Sequence, residues 1–389
     1  MDRLAARGVS FWESHSANPV CCPARAAWFT GRATCENAVA MNSYPIAADM
    51  PDLGQWLGAN GYETAYVGKW HVPARNQAAS FNVSFPNSGQ GEFGDEAVAR
   101  AAEAYLHQRS GAKPFFLTVG FLQPHDICYW LQRNEHPFSR AMWPEIRDAL
   151  PPLPPNFEFD PREPRVPASR QVGADWSEDH WRFYLWSYCR HVEMVDACLG
   201  QVLDALEDSG QAENTLVIFS ADHGEGQACH KKVLKGYLYE QALKVPLIVS
   251  LPGGGDSGRI DRRHLVSGLD LAPTLCDFAD AAPPPRMRGY SLRPLLEGRP
   301  VEWREFVVAE SHIVGRAIRT ADYKYIAYSD DPVDQLFDMK NDPWETRNLA
   351  AEGASAAIVE EHRRLLADWE AALEKAPLPK KAPKKRPEE

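Results

Sequence analysis

Short apolar runs alternate with amphipathic segments along most of the chain. Three runs rich in β-branched and aromatic residues are typical of buried strands: 62–67, 114–121 and 215–220. Residues 188–206 carry apolar side chains close to the helical period, which predicts a helix that packs on the sheet. Because strands alternate with helices, we expect an α/β fold with a mostly parallel sheet sandwiched by helices. In such sheets ligands bind at the carboxyl ends of the strands.

The two ends of the chain follow different patterns. Residues 1–9 predict an amphipathic helix that runs into a strand. Residues 126–179 are rich in proline and aromatic residues without periodicity, which predicts an elaborated loop region. Three short strand-like runs follow residue 304, namely 306–310, 316–326 and 335–339, and a helix is predicted from about 355 to 375.

These patterns divide the chain into three parts. We expect a larger α/β domain in residues 1–299 and a smaller α+β domain, an antiparallel sheet plus helix, in residues 300–375. Residues 376–389 alternate proline with lysine and arginine, which predicts a basic, disordered tail.

Composition excludes some functions. The 389 residues carry 42 Lys and Arg against 53 Asp and Glu, a net charge of -11, which argues against a nucleic-acid partner. The longest apolar runs are much shorter than the roughly 20 residues that cross a bilayer, so we expect no membrane span. The eight cysteines have no C-x-x-C spacing, which argues against a zinc knuckle or a dithiol redox site.

The segment from 18 to 32 carries the most informative chemistry. Pro23 suits the first position of a helix and Gly31 suits its C-cap, which predicts a short helix beginning just after Cys21. The helix N-terminus would favour an anion beside Cys21, and Arg25 lies one turn on along the same face. A buried cysteine beside a helix cap is the alternative. Neither Cys21 nor Cys22 has the five-residue spacing to arginine of a tyrosine phosphatase.

Two further groups follow predicted strands. Lys69 and His71 are two residues apart, so an extended segment would point both side chains to one side. Asp222 and His223 follow the strand at 215–220, at the edge where a hard cation could be held. By themselves these two residues would equally suit a strand-end turn.

With these motifs the sequence resembles the formylglycine-dependent sulfatases of the alkaline-phosphatase superfamily. Cys-Cys-Pro-Ala-Arg at 21–25 is similar to their C-x-P-x-R signature, extended by Thr-Gly-Arg at 30–32. Gly-Tyr-Glu-Thr-Ala-Tyr-Val-Gly-Lys-Trp-His at 61–71 is similar to their second signature. One departure is Ala24, where many members have serine. The resemblance implies an alkaline-phosphatase-like sheet with a smaller C-terminal domain.

The resemblance implies hydrolysis of a small-molecule or glycan sulfate ester. A formylglycine-generating enzyme would oxidise Cys21, and one hydroxyl of the hydrated aldehyde would attack sulfur while the other lets sulfate leave. Arg25 and Lys69 would hold the hydrate, and His71 would act as base.

The remaining implied residues bind the substrate. His125 and Lys235 would bind the sulfate oxygens and protonate the leaving alkoxide, and His230 would lie near the pocket. The tryptophans at 130, 143, 176, 181 and 186 could stack on sugar rings, although packing against the core is the favoured interpretation.

The resemblance also implies a divalent cation, with Ca²⁺ expected, held by Asp222, His223 and Cys21. Family members supply two more aspartates from a first strand that has no counterpart in this sequence. We therefore expect an N-terminally truncated sulfatase that lacks half of its cation ligands and binds metal poorly, and an inactive truncated chain is the alternative. The sequence as given predicts a cytoplasmic protein. A signal peptide ahead of this sequence would instead make the protein periplasmic or secreted.

Two alternatives to a sulfatase stay open at this point. One is a phosphodiester or phosphonate monoester hydrolase, because related enzymes use the same groups on a tetrahedral anion. The other is an inactive pseudoenzyme that binds sulfated ligands and keeps Cys21 as a thiol.

Overall fold

A computed structural model describes residues 1–72, 75–87, 89–133, 144–158, 160–168, 175–254 and 258–377. The helices α1 to α12 are Asp2–Arg7, Cys21–Thr30, Leu53–Ala59, Gly91–Gln108, Ile127–Arg133, Pro144–Asp148, Arg165–Ala168, Glu178–Asp208, Glu240–Leu243, Leu271–Phe278, Arg293–Leu296 and Ala356–Ala371. The strands β1 to β13 are Val9–Phe11, Ser14–His15, Glu63–Gly68, Val83–Pro86, Phe115–Gly120, Val217–Ser220, Leu247–Ser250, Arg259–Asp261, Val266–Ser267, Phe306–Ser311, Gly315–Thr320, Tyr323–Tyr328 and Gln335–Asp338.

Two sheets lie in the larger part of the chain. The first sheet has the order β4-β3-β5, and all three strands are parallel. The second sheet has the order β6-β7-β1-β8, in which β7 runs antiparallel to β6 and β1. The two-stranded sheet β2-β9 lies beside them. The α/β class with a mixed, mostly parallel sheet is thereby confirmed.

Helices cover both faces of these strands. On one face, α4 packs against α8 and against β3 and β5, and residues such as Val67, Val98 and Ala102 form a buried cluster there. On the other face, α2, α3 and α10 enclose a cluster that includes Phe29, Tyr66 and Ala272. The helix with Cys21 at its start is therefore fixed against the sheet along its length.

The C-terminal part is an antiparallel sheet with the order β10-β11-β12-β13, against which α12 packs. The other face of this sheet packs on residues 237–243 of the larger part. Between the two parts lies the fully buried ammonium of Lys324, whose Nζ is 3.0 Å from Glu240 Oε1 and 2.5 Å from Glu345 Oε1. The α+β arrangement agrees with the sequence, and the domain boundary at 299/300 stays a prediction.

Three predicted elements need correction. The run at 316–326 is not one strand but two, β11 and β12, because the chain turns back between Thr320 and Tyr323. The loop region predicted for residues 126–179 contains three short helices, α5, α6 and α7. It also ends earlier, because α8 begins at Glu178 and Ser177 caps it by accepting a hydrogen bond from His180 N. The short helix predicted to begin just after Cys21 is α2, and it begins at Cys21 itself.

The remaining predictions concern a membrane span, the C-terminal tail and Trp143. Across the described ranges, the structure contains no helix that is both long and apolar enough to span a bilayer. Residues 378–389 of the predicted tail and Trp143 lie outside the described residues.

Candidate active site

A cavity of about 1240 Å³ opens at the carboxyl ends of β3, β5 and β6 and continues between β5 and β6. We call its polar part the charged end, defined by Arg25, Lys69, His125, Asp222 and Lys235. We call the remainder the apolar body, lined by β5, β6 and the facing sides of α8 and α10. Three of the five side chains at the charged end are cationic at neutral pH in a chain whose net charge is -11. This end of the cavity therefore suits an anionic ligand.

Cys21 is the first residue of α2 and is 1% exposed. Its Sγ lies 3.0 Å from His223 Nε2 and 4.0 Å from Lys69 Nζ. Burial opposes ionisation of the Cys21 thiol, but the positive charges of His223 and Lys235 outweigh it and hold the pKa well below its ordinary value. The helix N-terminus adds to the field that favours negative charge here.

The proton on His223 can be assigned from its contacts. Its Nδ1 lies 2.6 Å from the carbonyl oxygen of Gly224, and a carbonyl only accepts, so Nδ1 donates this hydrogen bond. Nε2 is the ring nitrogen that faces Cys21. An imidazole held in this way presents a nitrogen suited to a metal ion or to a hydroxyl proton.

Arg25 binds protein groups through two of its three guanidinium nitrogens, and the expected role of its fork in holding an anion stays a prediction. Its Nε donates to Asp222 Oδ2 at 2.8 Å, and its Nη1 donates to the Lys69 carbonyl at 2.8 Å and to Tyr66 OH at 3.1 Å. Burial raises the pKa of Asp222, yet His223, Arg25 and the nearby lysines hold it well below its usual range. Arg25 thus keeps Asp222 ionised and fixes the backbone that carries Lys69.

Lys235 and His125 face the cavity from two different segments. Lys235 Nζ lies 3.7 Å from Cys128 Sγ, and although burial lowers its pKa, Cys21, Cys128 and Asp222 raise it above its usual value. Burial, Lys69 and Lys235 lower the pKa of His125 to about 3, so this imidazole is neutral at neutral pH. Its Nδ1 is buried and makes no hydrogen bond within the described part of the chain, which leaves it available to a ligand.

Asp222, His223 and Cys21 form a group whose ligand atoms all lie within 4.8 Å of one another. The Nε2 nitrogen of His223 and the ionised carboxylate of Asp222 are ligand types that fit a cation. Ca²⁺ takes six to eight oxygen ligands, and one oxygen of Asp222 already binds Arg25. The group therefore supplies part of a cation site.

Two predicted residues lie elsewhere. The strand ends at Gly68, which has φ +97°, and His71 has φ +52°, so the segment is not extended and the prediction that Lys69 and His71 point to one side is wrong. Lys69 is buried, whereas His71 is exposed and is not among the described residues that line the cavity. His230 is buried against Tyr239 and bonds Asn156 Nδ2 at 3.2 Å, outside the cavity lining.

Sequence reasoning missed three residues that build the site. Tyr66 donates to the Lys69 carbonyl at 2.5 Å, Ser16 Oγ donates to the Asp222 carbonyl at 2.5 Å, and Cys128 contacts Lys235. Tyr66 lies within the second signature, and Cys128 comes one helical turn after His125, so spacing could have indicated both. Ser16 contacts a residue more than 200 positions away, for which the sequence carries no local signal.

Comparison with known proteins agrees with this geometry. The sulfatase family model matches residues 1–281, and the model of the N-sulphoglucosamine sulphohydrolase C-terminal region matches residues 229–372. A Δ4,5-hexuronate-2-O-sulfatase of Bacteroides thetaiotaomicron is 31% identical over 95% of this chain and 82% of its own length.

Two other relatives carry similar descriptions. An N-acetylglucosamine-6-O-sulfatase of Bacteroides thetaiotaomicron is 26% identical over 94% of this chain and 80% of its own length. The solved structure of a 2-O GAG sulfatase is 30% identical and superposes with a TM-score of 0.84, covering 95% of this chain and 86% of that one. The chain belongs to the sulfatase family, the sulfuric ester hydrolases.

Proposed function

We propose that the protein hydrolyses sulfate esters of saccharides and that Cys21, after conversion to formylglycine, provides the nucleophile. The observation that carries this proposal is the position of Cys21, buried at the N-terminus of α2 with His223 Nε2 and Lys69 Nζ within 4.0 Å of its sulfur. A formylglycine-generating enzyme is the partner that the conversion requires.

The converted side chain supplies a hydrated aldehyde, whose two hydroxyls allow attack on sulfur and then departure of sulfate. Lys69 stabilises negative charge that develops on these oxygens, because its ammonium already lies 4.0 Å from the position of Sγ. His223, through the Nε2 that faces position 21, accepts a hydroxyl proton or holds a cation. Asp222, His223 and the converted residue would hold that cation, and Ca²⁺ suits the oxygen ligands of Asp222 and of the converted residue and would polarise the sulfate.

The leaving alcohol needs a proton, and we assign this proton to Lys235. The raised pKa of Lys235 keeps it protonated, whereas His125, with a pKa of about 3, has no acidic proton to give in the free enzyme. His125 binds a sulfate oxygen as a neutral donor, and the arriving anion would itself raise the pKa of this imidazole.

A sugar as the alcohol part of the substrate is supported by the relatives. The hexuronate-2-O-sulfatase and the N-acetylglucosamine-6-O-sulfatase are both named for sulfated sugars, and the match to each spans nearly the whole chain. Sulfate monoesters and phosphate diesters both carry one negative charge, so a phosphodiester or phosphonate monoester is the competing substrate.

The proposal is tested by coexpression with a formylglycine-generating enzyme. We expect mass spectrometry of the peptide that contains Cys21 to show the aldehyde in place of the thiol. We also expect the purified protein to hydrolyse an aryl sulfate faster than the matching aryl phosphodiester. Cys276→Ala, which removes a buried cysteine remote from the charged end, is the matched control and should be converted normally. Retention of the Cys21 thiol together with no turnover would support the pseudoenzyme instead.

A further inference from the structure

Glu225 is a buried carboxylate beside the charged end that the mechanism proposed above does not use. It follows Asp222 by three residues and is 5% exposed. Its Oε1 accepts hydrogen bonds from the Tyr184 hydroxyl and from Leu234 N, and its Oε2 accepts one from Gln227 N at 2.6 Å. Burial of a carboxylate costs free energy that hydrogen bonds must offset, and all three of these partners are donors.

Two of these bonds hold a loop that returns the chain to the cavity at Lys235. Residues 226–234 leave and re-enter at nearly the same point, because Gly226 N donates to the Leu234 carbonyl at 2.8 Å. Glu225 binds backbone N–H groups near both ends of this loop. Lys235 follows Leu234 directly in the chain, so the bond from Leu234 N to Glu225 helps to fix the backbone of Lys235.

The backbone of this loop is strained. Positive φ angles between +49° and +66° occur at five of its non-glycine residues, namely Gln227, Ala228, His230, Lys231 and Leu234. Such angles cost free energy for residues with a side chain, and they persist where surrounding contacts impose them. Glu225 binds the N–H groups of the first and the last of these five residues, so it supplies two of the contacts that hold the loop.

The side chain of Lys235 has little to hold it in place. Its Nζ donates to Cys128 Sγ at 3.7 Å, and a thiol is a weak acceptor. Within the described ranges, Nζ forms no ion pair with a carboxylate. The position of this ammonium therefore depends strongly on the backbone that carries it.

We propose that Glu225 is a positioning residue for Lys235, an inference that rests on the proton transfer assigned above to Lys235. Tyr184 lies fully buried in α8, so its hydroxyl ties Glu225 to a long helix, and Glu225 in turn fixes the loop that ends at Lys235. A misplacement of about 1 Å can reduce the rate of a catalysed step by about 10²-fold. Glu225 thus acts on the reaction through the place of the Lys235 ammonium.

The test compares Glu225→Gln with a matched control. The substitution keeps the size of the side chain but replaces one acceptor oxygen by an NH₂ donor, which cannot accept from a backbone N–H. Glu163→Gln is the control, because Glu163 is also buried and also accepts from a tyrosine hydroxyl, that of Tyr239 at 3.0 Å. Glu163 contacts the same loop through Lys232 Nζ at 2.6 Å, but it does not bind the backbone beside Lys235.

The kinetic readout is the ratio of kcat on a saccharide sulfate to kcat on nitrophenyl sulfate, whose leaving group needs no proton. We expect Glu225→Gln to lower kcat on the saccharide sulfate by about 10- to 10²-fold and kcat on nitrophenyl sulfate by less than about threefold. Glu163→Gln should leave the ratio unchanged. An unchanged ratio in Glu225→Gln would overturn the proposal, because general loosening of the fold lowers both rates alike.

A measurement without turnover separates this inference from the proposed function. Amide exchange of Leu234 and ¹³C relaxation of the Lys235 side chain, assigned with Lys235→Ala, both report on the resting enzyme. We expect exchange at Leu234 to be about tenfold faster in Glu225→Gln and the Lys235 side chain to be more mobile, with Glu163→Gln close to the parent. Parent-like values in Glu225→Gln would overturn the proposal. Inability of the parent to hydrolyse sulfate esters would instead count against the proposed function.

A milder pair of variants covers the case in which Glu225→Gln does not fold. Tyr184→Phe removes only the hydroxyl that donates to Glu225, and Tyr239→Phe removes the one that donates to Glu163. We expect Tyr184→Phe to lower the ratio of the two kcat values several-fold and Tyr239→Phe to leave it unchanged. Equal ratios in these two variants would overturn the proposal.

Discussion

The charged end and the apolar body belong to one cavity, but their side chains are stabilised by different kinds of contact. At the charged end, side chains are fixed by directed contacts, such as Arg25 to Asp222 at 2.8 Å and His223 to Gly224 at 2.6 Å. In the apolar body, β5 and β6 carry apolar side chains that keep part of their surface exposed. Substitutions at the charged end should therefore change turnover, whereas substitutions in the apolar body should change stability.

The largest effect is expected at Cys21. Cys21→Ala removes the thiol that is converted to formylglycine and therefore removes the hydroxyl that attacks sulfur. As a result, kcat/KM on an aryl sulfate should fall by at least about 10⁴-fold. The measurement is steady-state kinetics of protein matured with a formylglycine-generating enzyme, with Tm recorded in parallel. Cys276→Ala should keep the full rate. Activity of Cys21→Ala within tenfold of the parent would place the chemistry elsewhere.

The next effect concerns Lys235. If Lys235 protonates the leaving alcohol, Lys235→Ala should lower kcat by about 10²- to 10⁴-fold on a sugar sulfate, whose alkoxide is a poor leaving group. On a nitrophenyl sulfate, whose leaving group needs no proton, kcat should fall far less, while KM rises through the lost charge. Kinetics on both substrates check this prediction. Equal losses of kcat on the two would mean that Lys235 only binds the sulfate.

A matched pair of isoleucines compares the two kinds of strand directly. Ile218 lies on half-buried β6, and Ile248 lies on buried β7. Ile248→Ala should lower the free energy of unfolding by about 2–4 kcal/mol, and Ile218→Ala by about 1–2 kcal/mol, because the second side chain keeps part of its surface in water. Urea denaturation measures both. An equal or larger cost at Ile218 would show that the apolar body is packed like an ordinary core.

Per pH unit, the smallest effect is a pH dependence of stability. His125 has a folded pKa of about 3 and an unfolded pKa near 6.5, so between these values the unfolded chain binds more protons. Stability should therefore fall as the pH drops below about 6.5, with this one group contributing up to about 1.4 kcal/mol per pH unit. His125→Gln should reduce that slope, and His107→Gln, on the exposed surface of α4, should leave it unchanged. Urea denaturation at pH 6, 5 and 4 provides the measurement.

The sequence predicted the parts that depend on local pattern. The apolar runs located β3, β5 and β6, and Gly31 ends α2 in the left-handed conformation at φ +63°. The family resemblance named Cys21, Lys69 and His223, and the structure places Lys69 Nζ and His223 Nε2 within 4.0 Å of the Cys21 sulfur. Hairpin pairing was harder to read, since the turn between β11 and β12 is only two residues long.

The parts that sequence did not predict depend on contacts between distant segments or on single backbone angles. The sequence did not predict that Arg25 is anchored to Asp222 and to the Lys69 carbonyl. His71 was expected beside Lys69, but the positive φ of Gly68 and His71 turns the chain after β3. Neither outcome could be derived from residue spacing, because both depend on where the strand ends and on what packs against it.

The most direct test of the nucleophile is the mass of the Cys21→Ser variant after incubation with an aryl sulfate. A single hydroxyl can attack sulfur but cannot then form the carbonyl that releases sulfate, so the sulfuryl group should stay on the enzyme. The account predicts one sulfuryl group per chain at position 21, formed with release of one equivalent of phenol and no further turnover. Sustained turnover, or a sulfuryl group on any other residue, would contradict the assignment of Cys21.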